Sequence, residues 1–271
     1  FSRFRSSLPV ASMLGQPSTY ARHPFSHFTG RLAPLTPSCL PGIISLCGTP
    51  AAPAHGRSSP SGDHGRPEGL YDMVYADFDL KRAVHTFGLT EDRNTDLFAA
   101  INPIQPGEFL RAWLDELAPI ALGVSSEKAR SELIITPTLI EAKRLAGGGV
   151  NVLPGVTFEV DREQGLAGFC DFLIVRSPEF YYVQGPVLAV VEAKREDLVA
   201  GLGQCAAEMV AIRLFNEREG TPLPAVFGSV TSGSVWRFLK LEGPTLFIDR
   251  PEYHLRDMAR ILGILVSIAR G

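Results

Sequence analysis

Residues 187–194, VLAVVEAK, form a nearly continuous run of β-favouring apolar residues that ends in charge. Such a run is the signature of a strand covered on both faces, so the chain has to fold around a sheet with layers packed on either side. The stretch that follows, EDLVAGLGQCAAEMVAIRLFNERE at 196–219, reads as a helix whose Gly201, Gly203, Ala206 and Ala207 permit close packing against that sheet. Upstream, VTFEVDREQGLAGFCDFLIV alternates as a strand over 156–160, turns around Asp161–Gly165, and returns as a second strand over 168–175. Downstream, 225–243 reads as two strands about a Ser-Gly turn, and YHLRDMARILGILVSIAR as a closing amphipathic helix. The expected class is α/β in the mixed α+β sense, a central mixed β-sheet flanked by helices.

The residues before this core read differently. Over 76–100 the pattern predicts short helical pieces. Over 107–119 it places Phe109, Leu110, Trp113, Leu114 and Leu117 on one helical face. A further helix is expected from Ser126, which can cap it, with Leu133, Ile134, Leu139 and Ile140 as its apolar stripe; Pro137 should bend it or mark a boundary. We therefore divide the patterned region into a helical N-terminal extension, 73–119, and a main domain, 120–271.

Residues 1–72 hold ten of the 21 prolines, six arginines, no lysine and three acids, with no sustained apolar period. That composition cannot bury enough surface to offset chain entropy, and a largely disordered leader is expected. It carries about +3, which leaves about −6 on the other 199 residues against a total of −3. Phe1 is not a natural start and Met73 directly precedes the first patterned segment, which favours an appended leader; an organellar or secretory targeting segment is the alternative. His23 and His27 stand i,i+4 among prolines and are expected in a loop. The four cysteines form no CxxC pair, which favours reduced, buried thiols in a cytoplasmic protein. No apolar stretch is read as reaching the ~18 residues of a membrane span.

The letters EAKR occur twice, at 141–144 and 192–195. In the first copy Glu141 and Lys143 lie two apart on a helix, so their side chains diverge. In the second copy Glu192 and Lys194 lie two apart on a strand, which puts both on one face while Ala193 points to the other layer. The neighbouring strand offers Asp171 within an otherwise apolar segment. Buried charges need one another, a metal or solvent. A salt bridge from Lys194 to one acid is one solution. A Mg²⁺ ion with oxygen ligands, neutralising the second acid, is the other.

This arrangement resembles the PD-(D/E)XK nuclease superfamily. The motif reads Asp171, a spacer of twenty residues, then Glu192-Ala193-Lys194, in an α-β-β-β-α-β order. More narrowly, residues 120–240 are similar to the N-terminal nuclease-like domain of type I restriction enzyme R subunits: Glu127 and Arg130 precede LIITPTL, and Gln204 follows the lysine in the next helix. The resemblance implies a restriction-endonuclease-like core that hydrolyses nucleic acid, DNA ahead of RNA. It implies Mg²⁺ or Mn²⁺ held by Asp171, Glu192, the Ala193 carbonyl and Glu127, with Glu132 competing for the role of Glu127. Lys194 would orient the attacking water or stabilise charge on phosphorus, and Gln204 would position a water or a phosphate.

The acidic balance of the patterned region argues against an avid free nuclease, although Lys194, Arg195, Arg213, Arg218 and Arg237 offer a local basic rim. No Walker loop, helicase motif or recognition helix is present, so a targeting partner or a homodimer is expected, the apolar helix around Ile261–Ile268 packing either on its own domain or on a second copy. The competing reading is a catalytically silent nuclease-like binding module, with Phe180, Tyr181, Tyr182, Trp236 and Phe238 as candidates for its surface. Hydrolysis of another phosphate ester is a third reading.

Overall fold

The apolar run forms strand β4, Val187–Ala193, and every residue in it is buried. The structure, a computed structural model, describes residues 73–271. The expectations for the leader, its histidines, Cys39 and Cys47 lie outside the described residues.

Among the described residues six α-helices and eight strands follow in chain order: α1 (Leu80–Thr86), β1 (Thr90–Asp92), α2 (Glu108–Val124), α3 (Glu127–Arg130), α4 (Thr136–Ala146), β2 (Asn151–Asp161), β3 (Leu166–Val175), β4, α5 (Leu198–Arg218), β5 (Ala225–Thr231), β6 (Val235–Glu242), β7 (Thr245–Ile248), β8 (Tyr253–His254) and α6 (Met258–Arg270). They build one open, mostly antiparallel mixed sheet in the order β1-β7-β6-β5-β4-β3-β2, with β8 added to β6. Two pairs are parallel, β4 with β5 and β1 with β7. The first needs a crossover, and α5 supplies it.

Two apolar layers cover the sheet. On one face α1 and α5 pack with Tyr75, Phe78, Val190 and Val230; on the other α4 and α6 pack with Phe172, Val191, Ala193 and Trp236. The alternation expected for β4 is realised, with Val190 and Val191 in opposite layers. Pro154 is accommodated in β2 because β2 is an edge strand.

Three expectations change. Residues 90–92 are strand rather than helix, held by parallel pairing with β7, a strand that the local pattern also failed to mark. Phe109 stands 72% exposed, its ring tilted against that of Trp113, and the buried stripe of α2 is Leu110, Ala118 and Ala121. α5 has the length and apolarity of a membrane span, and 67% of its apolar window is buried inside the fold, as in a core helix.

Pro137 does mark a boundary. A π-helical turn, Ser131–Ile135, joins α3 to α4. Proline has no N–H for the Leu133 carbonyl one turn back, and the Trp113 indole Nε1 donates to that carbonyl instead, at 3.0 Å. The turn shifts the helical phase, so Ile134 and Ile135 are buried while Ile140 is 49% exposed. The apolar face of α6 is covered by its own domain, Ile261, Ile264, Leu265 and Ile268 all being buried.

Candidate functional site

Three elements converge at the C-terminal end of β4. The pairing of Phe172 with Val191 and Leu173 with Val190 sets Asp171 beside Glu192, on the face that α5 covers. Asp171 Oδ2 accepts the Ala193 N–H at 2.8 Å, which fastens the middle of β3 to the end of β4. On the other side the Lys194 N–H donates to the Thr231 carbonyl at 2.8 Å, so the Glu192-Ala193-Lys194 backbone is held from both neighbours.

The side chains are linked in series. Lys194 Nζ donates to Glu192 Oε1 at 2.7 Å and to Gln204 Oε1 at 3.0 Å. Gln204 Nε2 in turn donates to Glu208 Oε1 at 3.1 Å. Gln204 is thus buried, bonded to Lys194 on one side and to Glu208 on the other. Glu208 was missed in the sequence. It is fully buried, and its position four residues after Gln204 in a run of small and apolar residues was the available signal, since i and i+4 share a helix face.

Asp171, Glu192 and Glu208 crowd around one ammonium. Burial pushes the Asp171 carboxyl above its ordinary value, opposed by the Ala193 N–H and by Lys194. Burial and then the charge of Asp171 push Glu192 up to about 7. Burial and then Glu192 push Glu208 well above the carboxylate range. Burial works against the Lys194 ammonium, yet Glu192, Glu127 and Asp171 together hold its pKa above the ordinary lysine value. Glu192 Oε2 and Glu208 Oε2 are buried without a hydrogen-bond partner. Glu192 borders the Asp171 carboxylate, and two facing carboxylates share nothing unless one takes a proton or a cation stands between them.

The two candidate glutamates of the first helix part company. Glu127 opens α3, where the Ser126 side chain caps the helix and buried Arg130 ties it to the β5–β6 turn by donating to the Ser232 carbonyl at 2.9 Å. Its charge reaches both Glu192 and Lys194. Glu132 turns to solvent and pairs with Lys128 at 2.6 Å. The first EAKR copy behaves as the helical geometry requires: Glu141 takes Arg144 and the Gly107 N–H, while Lys143 reaches Asn151. Glu141 is nevertheless buried.

Hard oxygen donors in excess of positive charge suit Mg²⁺ or Mn²⁺. Glu192 Oε2, buried and unpartnered, is the atom that fits such an ion. Among the described residues no group of three or more His, Cys, Asp or Glu side chains is gathered into a ligand set. Cys170 and Cys205 are free and buried, as expected, and burial raises both thiols, which leaves neither as a nucleophile.

The expected basic rim is divided. Arg213 and Arg218 bond the Gly243 and Val160 carbonyls and serve the fold. Arg237 lines a groove on the α1 side of α5. Trp236 and Phe238 are buried, which removes them from any interaction surface, while Phe180, Tyr181 and Tyr182 are exposed. Comparison of the chain with protein-family models, with curated proteins and with solved structures gives no match.

Proposed function

We propose that this chain is a metal-dependent nuclease that hydrolyses phosphodiester bonds, DNA ahead of RNA, and that the order α3/α4, β2, β3, β4, α5, β5 is a restriction-endonuclease-like core. The observation that carries the reading is the buried, unpartnered Oε2 of Glu192, a side chain that borders Asp171 and takes Lys194 on its other oxygen. A salt bridge alone would leave one carboxylate of the pair uncompensated at neutral pH.

Asp171, Glu192 and the Ala193 carbonyl would hold Mg²⁺ or Mn²⁺, with Glu127 bonding its waters. When bound, such an ion supplies Lewis-acid polarisation of the phosphate and a water of lowered pKa. The protein's own part is orientation and charge. Lys194, its ammonium held by Glu192 and Gln204, orients the attacking water or meets negative charge developing on phosphorus. Gln204 keeps Lys194 in place and is itself anchored by Glu208. Glu208, with its carboxyl pushed toward the neutral form, adds little negative charge to the cluster.

The exposed triplet Phe180, Tyr181 and Tyr182 favours the second reading, a nuclease-like binding module. One experiment separates the two. The full chain is incubated with labelled single- and double-stranded DNA and RNA in Mg²⁺, Mn²⁺ or EDTA, beside Asp171→Ala and Lys194→Ala. Cleavage that requires metal and falls by roughly 100-fold or more in both variants is expected. Absence of cleavage on every substrate, together with no Mn²⁺-dependent thermal shift, would overturn the nuclease reading in favour of the module.

A further inference from the structure

A groove of about 950 Å³ opens between α1, β1, the first turns of α5 and the residues at and after the end of β7; none of the carboxylates of the candidate site lines it, but Leu202, two residues before Gln204, does. Lys81, His85, Arg93, Arg237 and Arg250 line it, against two carboxylates, Glu91 and Asp249. Among the lining side chains four full cations face these two carboxylates, while Glu252 and Asp96, just outside the lining, pair with Arg237 and Arg250. Asp249 is turned inward, where it accepts the Leu97 N–H and the Tyr253 hydroxyl, and contributes little to the groove's surface. Glu91 pairs with Arg93, Arg237 with Glu252, and Arg250 with Asp96 at 3.5 Å. Exposed pairs of this kind are weak and readily exchanged for a stronger anion. Lys81 and His85, one turn apart on the exposed face of α1, have no side-chain partner among the described residues.

The sheet register connects this groove to the carboxylates. Glu192 pairs with Val230, and Val230 pairs with Arg237. Cross-strand partners share a face, so Glu192 and Arg237 lie on one transverse row, on the α5 side, two strands apart. At about 4.8 Å per strand their backbones are roughly 10 Å apart. Successive phosphates of one duplex strand advance ~3.4 Å along the axis but also wind about it, so they stand farther apart than that rise and this distance reaches the next one or two of them. The first turn of α5 stands between: a Cβ added at Gly201 would meet Val230 and Lys194, while Val199 and Leu202 line the groove. A chain of phosphates crossing that turn would have its scissile member at Glu192 and Lys194 and its neighbours on Arg237, Arg250 and Lys81.

We infer that this groove binds the sugar–phosphate backbone of a nucleic acid strand adjoining the scissile phosphate. The inference rests on the nuclease reading for the identity of the neighbouring site and names the surface that positions its substrate. Several cations spread over such a length suit a polyanion better than a single small anion.

The test is binding of a labelled 20-nucleotide DNA, single- and double-stranded, to the full chain in Ca²⁺ by fluorescence anisotropy over a salt series, for wild type, Lys81→Glu/Arg250→Glu and Lys81→Gln/Arg250→Gln. Both residues are exposed, so the fold should tolerate the changes. Binding weakened by about tenfold or more in the reversal variant is expected, less in the neutral one. The slope of log affinity against log salt should become shallower by about 0.9 for each duplex phosphate that the variant no longer neutralises. The Mn²⁺-dependent thermal shift should stay as in wild type. Unchanged affinity and slope in both variants, or no binding by the wild type, would overturn the inference. So would loss of binding to phosphatidylserine vesicles with DNA binding intact. If no substrate is cut and Mn²⁺ gives no shift, but the variants still lose DNA binding, the groove stands and the nuclease reading falls.

Discussion

Glu192 sets the pH behaviour of this site. Its folded carboxyl, pushed up to about 7 by burial and by Asp171, stands above the ordinary glutamate value of 4.5. Between those two values the folded chain holds a proton that the unfolded chain has released, so stability falls as pH rises. The stabilisation is fully present below the unfolded value and is lost as pH passes through the folded one. Glu208, shifted in the same direction, extends that loss to higher pH. In EDTA the melting temperature should therefore be higher at about pH 5.5 than at about pH 8. Glu192→Gln should flatten that dependence. On the proposed nuclease reading a divalent ion would take the place of that proton, and the Mn²⁺-induced rise in melting temperature should then grow from about pH 6 to about pH 8. Thermal scans across pH with and without Mn²⁺ measure both; a dependence that Glu192→Gln leaves unaltered would show that another group is responsible.

The helix α5 is positioned by close approaches that leave no room for a methyl group, and Gly203 shows it. A Cβ there would stand 2.1 Å from the Asp79 carbonyl carbon, where the chain enters α1. Alanine is otherwise worth up to about 1 kcal/mol over glycine inside a helix. Backbone cannot yield as a flexible side chain can, so overpacking at about 1–3 kcal/mol outweighs that benefit. Gly203→Ala should lower the melting temperature by several degrees. Gly123, on the exposed side of α2 with nothing within 4 Å of its would-be Cβ, should respond with a small rise when changed to alanine. Equal effects at the two positions would refute the close approach at Asp79. The sequence showed that small residues in α5 permit close packing, but not that Gly203 serves α1 while Gly201 serves the sheet. The same limit recurs across the chain. β4 and the shared face of Glu192 and Lys194 were legible because they follow from local period. β1 was illegible because three residues are stabilised only by β7, about 150 residues away. The burial of Glu141 depends on the Gly107 N–H, 34 residues upstream. Glu208 is buried because it sits on the part of α5 that packs into the core, and the Gln204 side chain that bonds it is itself held by Lys194 on a different element. The phase of α4 was lost at the π-helical turn, which interrupts the 3.6-residue period that marks a helix in sequence.

Residues 73–119 tie the molecule together, although their sequence reads as a helical extension. They place Tyr75, Phe78, Ala83 and Leu89 in the layer with α5, and Phe98 and Leu110 in the layer with α6. Tyr75 is buried in the layer that holds Cys170 and α5, and burial, then Cys170 and Glu208, raise its phenol above the ordinary tyrosine value. β1 covers the β7 edge of the sheet. Fully burying a large apolar side chain contributes about 1.5–3 kcal/mol. Five of these six side chains are large, so removing them together costs an amount comparable with or above the ~5–15 kcal/mol by which a domain is stable. A fragment beginning at residue 120 would retain Asp171, Glu192, Lys194 and Gln204 but should not fold independently. Circular dichroism, thermal unfolding and hydrogen exchange on that fragment, beside the full chain, would measure this. The expected result is weak amide protection throughout and no cooperative transition, with cleavage absent even in saturating Mn²⁺. A cooperative melt within a few degrees of the full chain would mean that the six buried side chains are replaceable by rearrangement within 120–271, and that the site is built by those residues alone.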